Sequence, residues 1–210
     1  MDSNLIHKIK QVLVEPINFF ESLKREEGIK SAFIYLMILS LFSTLLGLIG
    51  KQLFQNYSYY FMLKVFGLSL PKPQYTASIL TLSAFFGYGV GLISSFLMAG
   101  VLHVWILIFG GKENYSKAYQ LYVYSKTPSF VAGWIPFFGY LVWLYDLVLL
   151  IIGTQKLYGI PKIRSILMYV IPILLIGLSF LGIILFLTYV LKSNPDIFSL
   201  NLSQNFTLPQ

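Results

Sequence analysis

Charge-free apolar stretches, separated by short charged clusters, run along most of the 210-residue chain. Ser31 to Gly50 is 20 residues without a charge, bounded by Lys30 and Lys51. Thr76 to Gly111 is another 36, with His103 its only basic group. A weaker segment, Tyr115 to Trp134, contains Lys117 and Lys126. Pro136 to Gln155 is strongly apolar apart from Asp146, and Ser165 to Leu191 is charge-free again. A helix needs roughly 20 apolar residues to cross a hydrocarbon core. Lipid leaves backbone groups only helices or closed barrels, and continuous runs, unlike period-two alternation, choose helices. The pattern predicts an all-α membrane bundle of five transmembrane helices.

The ends of the chain read differently. Leu5, Ile6, Ile9, Val12 and Leu13 share one helical arc, with Lys8 and Lys10 outside it and Asp2, Ser3 and Asn4 available as caps. This predicts an N-terminal amphipathic interfacial helix, with Lys8 and Lys10 at the membrane surface facing anionic lipid. The expected domains are a cytoplasmic leader at 1–30, a membrane domain at 31–192 and a flexible outer tail at 193–210. Asn201-Leu202-Ser203 and Asn205-Phe206-Thr207 in that tail match glycosylation acceptors. Lys51 to Tyr75 reads as an aromatic-rich cap on the outer face. The second apolar run would reach roughly 54 Å as one helix against a core of about 30 Å, so it either protrudes or breaks near Gly87, Gly89 and Gly91.

Composition narrows the class further. Hydrophobic residues make up 57% and charged ones 11%, against about 25% charged in soluble domains. A soluble enzyme, a disordered chain and a nucleic-acid binder are therefore poor fits. The +7 net charge sets orientation instead. With five spans, ten cations fall on one side: Lys8, Lys10, Lys24, Arg25, Lys30, Lys112, Lys117, Lys156, Lys162 and Arg164. Four fall on the other: Lys51, Lys64, Lys72 and Lys192. Were the third segment not to cross, the split would be nine against six. Five spans satisfy the positive-inside rule better, with the N-terminus cytoplasmic and the C-terminus outside.

The third segment is too weak to insert alone. Leu121, Val123, Phe130 and Val131 together contribute about −2 kcal/mol, and an embedded lysine costs about 2.5 to 3.5. It is expected to enter as a hairpin with the fourth, turning at Gly133-Trp134-Ile135-Pro136. Lys126 and Asp146 then lie about 14 Å from the turn, at matched depth, where they can neutralise each other. Tyr115, Tyr119, Tyr122 and Lys126 form one polar-aromatic stripe. Pro128 would kink the helix and free a carbonyl near Tyr124 for a neighbouring hydroxyl. The intramembrane polar cluster is thus Lys126, Asp146, Tyr119 and Tyr122, either structural or lining a path. Gly87 and Gly91 read as a helix-packing motif. His103 reads as a buried hydrogen-bonding residue. No spacing supports a catalytic, cofactor or metal site, and cysteine is absent.

Three pieces carry a resemblance: LVEPINFFESLKREEGIKSA from Leu13 to Ala32; Tyr122 to Pro128 followed by Ile135-Pro136; and LLIIGTQKLYG from Leu149 to Gly159. In their order and spacing the chain resembles the Yip family, five-pass membrane proteins named for interaction with Ypt/Rab GTPases. The resemblance implies a five-helix domain with a cytoplasmic N-terminus. It also implies a non-enzymatic role in organising membranes through lipids, other integral proteins or a second copy of the chain. In eukaryotes it implies Golgi or endoplasmic-reticulum traffic. A leader of about 30 residues is shorter than in eukaryotic relatives, which favours a prokaryotic cell-membrane protein and makes small-GTPase binding doubtful. The alternative is a small channel or transporter with its path around Lys126 and Asp146.

Overall fold

The computed structural model describes residues 5–66, 76–135 and 138–193, and among them every regular element is helical. Two short helices, α1 (Leu5–Val14) and α2 (Pro16–Ser22), and a 3-10 turn at Leu23–Arg25 precede the long ones. These are α3 (Lys30–Phe66), α4 (Ala77–Ile108), the pair α5 (Tyr115–Ser125) and α6 (Thr127–Ala132), α7 (Phe138–Tyr158) and α8 (Lys162–Ser193). Four stretches are long and apolar enough to cross a membrane: Lys30–Lys51, Ala77–Ile108, Leu141–Tyr158 and Lys162–Val190. The chain divides into two compact units, Met1–Ser165 and Ile166–Gln210. Asp2 to Asn4, the loop around Pro71 and Pro73, Pro136 of the expected turn and the tail with its glycosylation triplets lie outside the described residues.

Several elements differ from the expected ones for local reasons. α3 does not stop at Gly50; nothing between Lys51 and Phe66 breaks a helix, and the next proline is Pro71. α4 runs unbroken through Gly87, Gly89 and Gly91. Each glycine costs about 1 kcal/mol in helix propensity, but a break in lipid strands backbone groups at greater cost. The third segment is two helices that meet at Lys126, whose backbone leaves the helical region at φ −83°, ψ 0°. Pro128 sits in the first turn of α6, where its missing N–H is harmless. The carbonyl it cannot serve, that of Tyr124, accepts from the Thr127 hydroxyl at 2.7 Å. Within the second unit, α8 continues as helix past Pro172 to Ser193.

The α5–α6 pair runs beside α3 from its start to Gly50, a little past its middle. At its start the Lys117 ammonium meets carbonyls just before α3, at Leu23 and Glu26. At its end, the Trp134 carbonyl lies 3.0 Å from where a Cβ on Gly50 would stand. Thr127 sits between, bonded to the Tyr35 hydroxyl at 3.0 Å.

The leader is part of this unit. Val12 and Phe20 are completely buried, and Phe19 and Leu23 nearly so. Phe19 packs edge-on against Tyr124, with ring centres 4.9 Å apart, and the Tyr145 hydroxyl donates to the Leu13 carbonyl. α1 therefore buries Val12 while leaving Ile6 and Val14 exposed. Phe20 fits because position 153 of α7 is glycine: an added Cβ would meet the Phe20 ring at 2.9 Å and also the Leu121 side chain. Gly153→Ala is expected to destabilise the unit by about 1–3 kcal/mol through overpacking. Thermal unfolding in detergent checks this, and adding Leu121→Val should recover part of the loss.

Candidate functional site

Asp146 enters the interior from α7, and its carboxylate is almost wholly enclosed, with 5% of the side chain exposed. Three donors converge on it. The Ser129 backbone N–H lies 3.1 Å from Oδ1, the Ser129 hydroxyl donates to Oδ2, and the Lys126 ammonium stands 3.2 Å from Oδ2. Lys126 occupies the N-cap position of α6 but caps nothing with its own side chain. The carboxylate of α7 supplies that cap from across the hairpin, answering a free N–H and the positive end of the short helix. Burying a lone carboxylate is prohibitive, and this donor set makes it tolerable.

The lysine is the accessible half of the pair, with 35% of its side chain exposed. It faces a pocket of about 260 Å³ between α4, α5 and α7, lined by Met98, Leu102, Tyr122, Trp143, Asp146 and Leu150 among others. Tyr122 shares this pocket, and its hydroxyl has no hydrogen-bond partner among the described residues. Tyr119 points elsewhere: it is fully buried, its hydroxyl 3.1 Å from Ser95 Oγ and its ring stacked on Phe96. Tyr115 donates to the Phe96 carbonyl at 2.9 Å. The structure thus joins Lys126, Asp146 and Tyr122 and separates Tyr119 from them.

The remaining candidates take other places. Gly87 and Gly91 make no close helix contact; an added Cβ would meet nothing within 4 Å. They line a groove of about 340 Å³ between α3 and α4, with Ser40, Thr44 and Lys51 on the far wall. Lys10 is exposed, whereas Lys8 turns inward. Its ammonium donates to the Tyr124 hydroxyl at 2.9 Å and to Ser31 Oγ at 3.0 Å, and lies 3.8 Å from Glu26. An aromatic hydroxyl and a nearby carboxylate satisfy it better than a headgroup shared with water. His103 is edge-on to Tyr115, and its buried Nδ1 has no partner among the described residues.

Three residues matter that sequence reasoning passed over. Ser129 is the third residue of a helix that begins Thr-Pro-Ser, a position whose N–H requires an acceptor. Lys117, counted as a surface cation, is 8% exposed and donates to the carbonyls of Leu23, Lys24 and Glu26. Gln120, fully buried, donates to the carbonyls of Glu26 and Gly28. At the edge of the leader, the Lys156 ammonium 2.6 Å from Glu21 holds that carboxyl below the ordinary carboxylate range. Whatever this exposed pair contributes is present at neutral pH and fades as the pH falls through the lowered value.

No group of three potential metal ligands occurs among the described residues. Asp146 is held by three donors, an arrangement suited to fixing a helix end. A family model for the Yip1 domain matches residues 10–184. The chain belongs to the Yip1 domain family. Among curated proteins and among solved structures nothing matches it. The Yip1 domain here begins inside α1 and ends inside α8, so the docked leader and the ion pair both belong to it. With its long apolar helices it is a multi-pass membrane protein, of a family not known for enzymatic activity.

Proposed function

We propose that this Yip1 domain is a non-enzymatic organiser of its membrane, working through contacts with lipids and other integral proteins. The observation that carries the reading is the occupation of Asp146: its carboxylate caps α6, takes three donors and is 5% exposed, which suits a structural role better than a relay. Lys117 and Lys8 are likewise engaged, both in fastening the leader. What remains outward is apolar, as on Leu82, Phe86, Ile93, Leu97 and Ile108.

We infer five crossings, with the N-terminus cytoplasmic and the C-terminus outside. The length of α5–α6, reaching from the start of α3 to Gly50, supports this, together with the ten-to-four split of cations. On this reading 1–30 is a cytoplasmic leader folded onto the membrane domain and 193–210 an outer tail.

Crosslinking in native membranes, paired with flux measurements in liposomes, tests the proposal. The full chain should capture a reproducible set of integral proteins, and the double variant Lys126→Met, Asp146→Asn should capture the same set. Liposomes carrying either form should hold a proton or potassium gradient as well as empty ones. A gradient dissipated by the unaltered protein and preserved by the double variant would replace the organiser with a transporter.

A further inference from the structure

The ion pair is lopsided in a way that the helix cap does not require. Asp146 has spent both oxygens on three donors, while Lys126 has used one of its three N–H groups, and Asp146 is its sole partner among the described residues. Of the pair it is the ammonium that stands open to the pocket, 35% exposed against 5% for the carboxylate, and Tyr122 lines the same pocket. Apart from Ser125 and Asp146 the rest of the lining is apolar or aromatic: Met98, Leu102, Leu147 and Leu150, with Trp105 on α4 and Trp143 on α7. Unspent donors in an apolar setting are costly, and an acceptor that brings its own apolar body removes the cost.

We propose that this pocket binds a single-chain lipid acid, its carboxylate on Lys126 and Tyr122 and its chain along α4 and α7. A space of about 260 Å³ that is open on one side suits one carboxylate and the start of one chain, the rest of which lies along the helices. Charge favours a monoanion, because Asp146 stands 3.2 Å from the same ammonium and repels a doubly charged phosphate more strongly. Two donors also match the two oxygens of a carboxylate. The inference rests on the reading that this domain works through lipid contacts, and it names one of them.

Trp105 and Trp143 line the pocket and provide the readout. The full chain, in nanodiscs of phosphatidylcholine, is titrated with stearic acid brominated along its chain, and quenching of tryptophan emission is followed. Saturable quenching is expected. The methyl ester of the same acid and a brominated phosphatidic acid should each bind at least tenfold more weakly. Lys126→Met with Asp146→Asn should weaken the acid roughly ten- to a hundred-fold, the loss of a charge-assisted hydrogen bond. Tyr122→Phe leaves the ion pair and the cap intact and should weaken it about two- to tenfold. Equal, non-saturating quenching by acid and ester would overturn the proposal. So would phosphatidic acid binding as tightly, or both variants, folded by their melting curves, keeping the original affinity. None of these results bears on whether the domain captures protein partners or leaks ions, so binding can fail while the organiser reading stands.

Discussion

Asp146→Asn is expected to lower the stability of the membrane unit by about 2–3 kcal/mol, and by less when Lys126→Met is made with it. The asparagine oxygen can still accept the Ser129 N–H, and the Ser129 hydroxyl can reverse to accept from the new amide. What cannot be repaired is the ammonium 3.2 Å away, which would face a neutral group. Breaking a fully buried pair costs about 3–5 kcal/mol. Lys126, 35% exposed, can partly escape by reaching toward the pocket mouth, which reduces the figure. Removing the lysine as well eliminates the stranded charge. Thermal or denaturant unfolding of the four species in one detergent gives the coupling, expected to be about 1 kcal/mol or more. Additive effects would mean that Asp146 serves only as the cap of α6 and that Lys126 is stabilised by something else.

This pair was within reach of the sequence because it depends on local geometry. Two helices joined by a short turn place residues at equal distance from that turn at equal depth, and helical rise alone gives the distance. The apolar runs were legible for a similar reason, since hydrocarbon imposes a length on each. Details that depend on distant packing were not. Lys8 finds Tyr124, a residue 116 positions away, and nothing near Lys8 in the chain distinguishes it from exposed Lys10. The glycines of α4 illustrate the converse problem. Small residues at helical spacing permit close approach without compelling it, and Gly87 and Gly91 face a groove. The small residue that does admit a neighbour is Gly153, whose partner Phe20 comes from a leader that looked peripheral. An apolar arc of the kind read in that leader serves a lipid surface or a protein surface equally well.

Lys117→Met is the change expected to release that leader. The ammonium is 8% exposed and sits among the carbonyls of Leu23 at 2.5 Å, Glu26 at 2.7 Å and Lys24 at 3.2 Å. These carbonyls close the 3-10 turn after α2, the negative end of a short helical run, so the cation answers both their lone pairs and their dipole. Methionine keeps most of the volume and none of the donors. A hydrogen bond to a charged group is worth about 1.5–3 kcal/mol, and the three share one ammonium, so about 3 kcal/mol is expected in all. That loss falls on the docking of the leader onto α5 more than on the long helices, whose own packing does not involve this contact. Amide exchange should therefore accelerate roughly a hundred-fold across residues 5–25 while α3 and α4 hold their protection. Lys117→Arg keeps the charge, but a flat guanidinium cannot point at three carbonyls clustered around a single atom, so it should fall between the two. Unchanged exchange in the leader of Lys117→Met would show that Phe19, Phe20 and Gln120 hold it without help from the buried charge.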